Sequence, residues 1–314
     1  MSSAGRGAIV GLNWAFTFVI LEAAQAVFFG SLFQRVDSFL IGALVFGSSA
    51  AATLFYSWRK TPDELAIAWA NRTLLLVLNA STTAVWIAYF FALQMIEPAV
   101  VFTLFSGLLP IGVLLAARLG VPEASPLRNR IEASGLLVAL AGMAFLAVTT
   151  LLGSSGFVRG GNNVAGAGLA LTVLAAESLV VMMIVSQRLD RRGVGAVAQY
   201  GLRFPLYVLV ASVAVSFGLD QKDPLAVSAL VGIVLVGLVL IAFPVFAMQK
   251  AITLMSTLSL AFVTALGPAI VFLLQLLDGR VAYATATLGG LILYSLGAVL
   301  AAWGASMGTR RQAA

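Results

Sequence analysis

AIVGLNWAFTFVILEAAQAVFF, residues 8–29, carries one charge, Glu22, in a run dominated by apolar and aromatic side chains. Its length matches the roughly 20 residues that an α-helix needs to cross a hydrocarbon core. A carboxylate at that depth is costly and persists where it faces a cavity or a partner. The stretch reads as a membrane span with an ionisable group inside it.

Nine further apolar windows follow, at 39–56, 74–91, 99–117, 133–152, 164–185, 200–219, 225–248, 258–277 and 281–303. Each is near spanning length, with punctuation between them. The 314 residues are 61% hydrophobic and 10% charged, with a mean hydropathy of +1.05, whereas about a quarter of a soluble domain is charged. In lipid, backbone hydrogen bonds must be satisfied internally, so only helices or closed barrels cross. The alternating polarity of barrel strands is absent. The expected fold is an all-α integral membrane protein with ten transmembrane helices.

A net charge of +6 and a pI near 10.1 would suit nucleic-acid binding in a soluble protein. Here the basic residues lie in short connections and report topology instead. Counted on alternate sides, fourteen fall on one side, Arg59, Lys60, Arg72 and Arg188 among them. Four fall on the other, Arg35, Arg159, Lys222 and Arg280. The positive-inside preference then places both termini in the cytoplasm, which requires an even number of spans.

The expected partners are the lipid bilayer and a small-molecule substrate, with no nucleic acid. The first window is too long for a signal peptide and lacks a small-residue cleavage site, so it is expected to be a retained span. The absence of Cys and His removes disulfides and the usual zinc, copper and haem ligands. No GxxxxGK[ST] loop occurs, which argues against an ATP-driven pump. No cofactor and no metal are expected.

The chain also carries an internal repeat. An offset of 155 superimposes Glu22 on Glu177, Gly135 on Gly290 and Gly142 on Gly297, while Pro110 matches Pro268 at 158, an ordinary loop indel. Two halves, 1–155 and 156–314, each hold five windows. Because five is odd, the second half enters from the opposite face, as an inverted repeat. Such duplications recur in secondary transporters, with the substrate site near the midplane between the halves.

With the segment Ala92-Leu93-Gln94 through Pro98-Ala99 to Pro110, its counterpart Ala251-Ile252 through Pro268, and the pairs Gly135/Gly142 and Gly290/Gly297, the chain resembles the drug/metabolite transporter superfamily in its ten-span, EamA-like form. The acidic residue that members often carry after the fourth-span proline segment is absent near Arg118-Leu119-Gly120, and the second half offers Asp278-Gly279 instead. The aromatic-rich first, third and seventh windows are most similar to bacterial aromatic amino acid exporters of the YddG type. The resemblance implies an inner-membrane protein in which spans one, three, four, six, eight and nine enclose a central cavity.

The candidate binding residues follow from spacing. Glu22 lies about 21 Å along its helix and Glu177 about 20 Å along its own, at 1.5 Å per residue, so inversion puts them on opposite sides of the midplane. Each could exchange protons or recognise an ammonium group, or could hydrogen-bond a neighbouring helix. Trp14, Phe18, Gln25 and Phe29 share the stripe of Glu22. Asn79, Thr82, Thr83, Trp86 and Tyr89 form a second stripe in the third window. Aromatic walls with Asn, Thr and Gln suit a flat or bulky apolar substrate; the alternative is helix packing, with the polar groups as interhelical glue.

Tyr200, Arg203, Phe204 and Tyr207 share a face in the seventh window. Arg203 could bind a carboxylate, but the reading preferred from sequence is an anchor that snorkels to the cytoplasmic interface. Phe243 and Phe246 flank Pro244, whose freed carbonyl could contact substrate, and Pro110, Pro244 and Pro268 are candidate hinges. Gly290, Gly297 and Gly304 form a small-residue face for packing within a monomer or in a homodimer.

These features predict a secondary transporter or facilitator that exports hydrophobic or aromatic amino acids and related metabolites. The alternative in the same class is a proton-coupled efflux carrier for cationic lipophilic drugs. An integral membrane enzyme is disfavoured, because no cluster of catalytic groups is present.

Overall fold

The computed structural model describes residues 3–313 except 125, 128, 265 and 280. Arg128 and Arg280, part of the charge asymmetry, lie outside the described residues, as do the side chains of Arg6, Arg310 and Arg311. The chain is all-helical apart from loops, and the lone β-bridge among the described residues pairs Ile96 with Val158.

The helices are α1 (Ser3–Leu32), α2 (Ser38–Lys60), α3 (Pro62–Ala70), α4 (Arg72–Met95), α5 (Pro98–Arg118), α6 (Arg130–Leu151) and α7 (Asn162–Arg191). They continue as α8 (Ala196–Leu202), α9 (Pro205–Ser216), α10 (Val227–Gly237), α11 (Phe243–Leu254), α12 (Thr257–Thr264), α13 (Gly267–Asp278) and α14 (Thr285–Ala313), with a π-helical turn Leu238–Ala242 joining α10 to α11. Among the described residues nine helical stretches are long and apolar enough to cross a membrane, one of them, Ala196–Ser216, being α8 and α9 together. The ninth sequence window, 258–277, is two short helices, α12 and α13, separated at Leu266 just before Gly267-Pro268.

Proline explains most of the breaks. It lacks an amide donor and restrains the residue before it, so it fits the first turn of a helix and interrupts the middle of one. Pro205 opens α9, Pro244 follows the π turn at the start of α11, and Pro268 sits in the first turn of α13. Pro110, by contrast, lies inside an unbroken α5.

Large apolar side chains cover the outside. Leu277, Phe217, Leu152, Leu76 and Leu296 are all more than half exposed, as lipid-facing positions require. Near one end, exposed Trp58, Trp69, Phe55 and Tyr56 form an interfacial aromatic group, with the Arg59 guanidinium 5.0 Å from the Trp58 ring centroid.

The packing comes in matched pairs. α1 packs on α11 and α13, and α7 packs on α4 and α5; α2 packs on α9, α5 on α13 and α6 on α14. The α6–α14 contact is the tightest. A Cβ on Gly135 would lie 2.2 Å from the Ala301 amide nitrogen, and one on Gly297 would lie 2.2 Å from that of Ala139. Backbone touches backbone there, so the glycine face of α14 is consumed within the chain.

Candidate binding site in the helix bundle

Each end of the bundle is tied by polar contacts. At the end rich in Arg and Lys, Glu64 accepts from the Gly195 amide at 2.8 Å, and Arg188 and Arg191 bridge to Glu123 at 3.0 and 3.5 Å. At the opposite end Asp220 accepts from the Ser38 amide at 2.9 Å and its hydroxyl at 2.7 Å. Gln94 donates to Ser38 Oγ, and Lys222 pairs with Asp220.

Also at that opposite end, fully buried Glu97 joins three distant segments. It accepts from Gln275 Nε2 at 2.5 Å, Thr287 Oγ1 at 2.7 Å and the Gly156 amide at 2.7 Å. Burial pushes the Glu97 carboxyl above its ordinary range, against the pull of those three hydrogen bonds.

Between the two ends, the face of α1 predicted from spacing is buried. Phe18, Glu22, Gln25 and Phe29 are each at most 2% exposed, and Trp14 is half-buried. Glu22 Oε2, both amide atoms of Gln25 and the Tyr89 hydroxyl are buried without a hydrogen-bond partner among the described residues. Glu22 and Tyr89 lie within electrostatic reach of one another across α1 and α4, and Gln25 is one turn from Glu22. Buried polar groups are ordinarily satisfied, so unpaired ones gathered in one place call for a water, an ion or a ligand.

Aromatic rings wall this cluster. Tyr89 packs on Phe105 at 4.8 Å and edge-on to Trp86 at 6.1 Å. Trp86 in turn meets Phe46 at 4.9 Å, and Phe46 stacks on Phe204 at 4.3 Å. Lower on α1, Trp14 meets Phe243 and Phe246 edge-on at 6.3 and 6.1 Å. Phe243 also faces outward, at 42% exposure.

The second predicted stripe divides by role. Thr82, Thr83, Trp86 and Tyr89 are buried. Thr83 Oγ1 donates to its own helix, at Asn79 O. The Asn79 amide is spent on backbone: Nδ2 donates to Leu202 O at 2.7 Å and Oδ1 accepts from the Leu206 amide at 3.1 Å. Asn79 thereby bridges the break between α8 and α9, restoring bonds that Pro205 interrupts.

Glu177 is not the environmental twin of Glu22. It is half-buried, and its carboxylate lies over Gly112 of α5, whose Cβ, if present, would be 2.8 Å from Oε2. The Ala242 carbonyl near Pro244 accepts from the Tyr200 hydroxyl at 3.2 Å.

Arg203 corrects the sequence expectation. It does not snorkel: it is 1% exposed and turns inward, donating to Gln249 Oε1 at 2.9 Å and to Thr82 Oγ1 at 3.4 Å. It caps α8 at the α8–α9 break, where the chain redirects the side chain away from the interface.

No family model and no curated protein matches the chain. Nine chains of solved structures do. One, described as "Crystal structure of protein", superposes with a TM-score of 0.65 at 20% identity, covering 99% of both chains. That likeness shows a shared fold.

Proposed function

We propose that the chain is a secondary transporter or facilitator that exports hydrophobic or aromatic amino acids and related small metabolites across an inner membrane by alternating access. The observation that carries this is the cluster of Glu22, Gln25 and Tyr89, unpaired among the described residues, buried in the bundle and walled by aromatic rings. A carboxylate, an amide and a phenol offer partners for an ammonium group, and the rings offer apolar area for a side chain.

In this proposal α12 and α13 together form a tenth, discontinuous span, and the chain is two inverted five-helix repeats with both termini cytoplasmic. Discontinuous spans beside a midplane site are a recurring transporter feature. The matched helix pairings support the repeat. So do two equivalent caps, Asp220 on the start of α2 and Glu64 on the start of α8, and the equivalent glutamines Gln94 and Gln249 in ALQ and AMQ, again 155 residues apart.

Counterflow of labelled phenylalanine or tryptophan in proteoliposomes tests the proposal. Saturable uptake accelerated by unlabelled substrate inside the vesicles is expected. Uptake no greater than in empty vesicles across an amino acid panel would refute the substrate class.

A further inference from the structure

Arg203 has no part in the Glu22 cluster, yet it is the more unusual group. A guanidinium stays protonated in any protein environment, and a buried charge ordinarily has an ionic partner. Arg203 has none among the described residues: the recorded ion pairs involve Glu123 and Asp220 with other cations. Its partners are a neutral amide and a hydroxyl, and they occupy two of its five N–H donors. The Phe204 ring lies 5.6 Å from its guanidinium carbon.

The surroundings are built rather than incidental. Gln249 is held from behind, its Nε2 donating to Gln199 Oε1 at 2.8 Å, while Gln199 Nε2 donates to Val194 O at 2.7 Å. This chain leaves the Gln249 Oε1 oxygen fixed against the guanidinium fork, as one oxygen of a carboxylate would be. Phe246 and Phe204 both pack on Tyr200, at 5.9 and 5.2 Å. The Lys250 ammonium lies 5.6 Å from the Phe246 ring centroid, adding a second positive charge to the same aromatic surface.

We infer that Arg203 is a carboxylate-binding residue on the transport path. The carboxylate of an organic substrate takes the guanidinium donors that Gln249 and Thr82 leave free, in the bidentate geometry Arg favours, and its apolar group lies against Tyr200 and Phe246. Arg203 is the eighth residue of the span Ala196–Ser216, about 10 Å from its basic end at 1.5 Å per residue. The contact therefore falls in the half of the bundle nearer that end. This inference rests on the transporter proposal and adds the chemical group that every substrate must carry.

Binding of L-phenylalanine and L-phenylalaninamide to the purified protein in detergent, with flux measured in parallel, tests it. The wild type is expected to prefer the acid by at least about tenfold, as the loss of a charge-assisted pair implies. Arg203→Gln should bring the two ligands to similar affinity, with Arg203→Lys in between. An amide bound as tightly as the acid by the wild type, which needs no variant to fold, overturns the inference, as does an Arg203→Gln protein that keeps the preference. If no amino acid binds or moves, the amino acid proposal fails, and phenylacetate decides Arg203 alone. Binding to wild type but not to Arg203→Gln sustains the role, and no carboxylate binding at all ends it.

Discussion

At the scale of single residues, the bundle holds polar groups that do opposite jobs, and hydrogen-bond bookkeeping separates them. Glu22 Oε2 has no partner among the described residues, so its burial costs stability that a bound ligand can recover; an unsatisfied buried group costs about 1–3 kcal/mol. Glu22→Leu is therefore expected to raise the thermal unfolding midpoint while abolishing transport, and Glu22→Gln to weaken substrate binding about tenfold by removing a charge-assisted bond. Lower stability with intact flux would instead make Glu22 part of the packing. Asn79 should behave the other way, because its amide is fully engaged with Leu202 and Leu206. Asn79→Ala should lower stability by about 1–2 kcal/mol with substrate affinity unchanged, read by thermal unfolding and by half-saturation in vesicles. The sequence exposed Glu22, since a carboxylate inside an apolar run is visible in one dimension. It did not expose Glu97, which sits in a two-residue turn next to Pro98 and looks solvated until Gly156, Gln275 and Thr287 arrive from far along the chain.

At the scale of elements, what could be read from sequence was apolar length, because lipid enforces it along each segment; what could not was where a segment breaks. Four prolines lie in predicted spans, but Pro110 leaves α5 continuous while Pro205, Pro244 and Pro268 mark helix starts. The difference is tertiary: at the α8–α9 break a side chain from α4 pairs the backbone that proline frees. Arg203 was misread for the same reason, since its depth along a straight helix suggests a route to the interface that the break removes. The glycine pattern in α14 was legible as packing, but only the fold shows α6 as its partner. That contact gives a paired prediction. Gly297→Ala, whose Cβ would lie 2.2 Å from the Ala139 nitrogen, should destabilise by about 1–3 kcal/mol. Gly289→Ala, one face away with nothing within 4 Å, should be neutral or stabilise by up to about 1 kcal/mol. Thermal unfolding of both in one detergent checks the pair, and equal effects would count against close α6–α14 packing as the cause.

At the scale of the whole molecule, the two ends are tied differently. The caps made by Glu64 and Asp220 are equivalent, but the buried carboxylate of Glu97 fastens only the end opposite the basic one. The proposed repeat sets against it the connection between α11 and α12, Met255-Ser256, which offers a hydroxyl and no carboxylate. In the proposed inverted repeat, alternating access requires this symmetry to be broken, and Glu97 marks a difference in composition between the two ends. The consequence for pH follows from burial. Glu97 titrates near 4.5 when in water and higher when buried, so the fastened end binds its proton more tightly than an opened one. Fastening is then fully favoured below the ordinary carboxylate value and weakens as pH rises through the raised one. Since the chain has no cysteine, a single Val101→Cys, at a buried site one turn into α5, can report opening through its reaction with a membrane-impermeant thiol reagent. Its intrinsic thiolate reactivity is calibrated on the unfolded protein at each pH. After that correction, labelling should increase as pH rises above the ordinary carboxylate range. Glu97→Gln should flatten the dependence, because nothing then titrates, and Glu97→Ala should give high labelling throughout by deleting all three hydrogen bonds. Labelling indifferent to both pH and substitution would leave Glu97 as a static brace and move the gate elsewhere in the bundle.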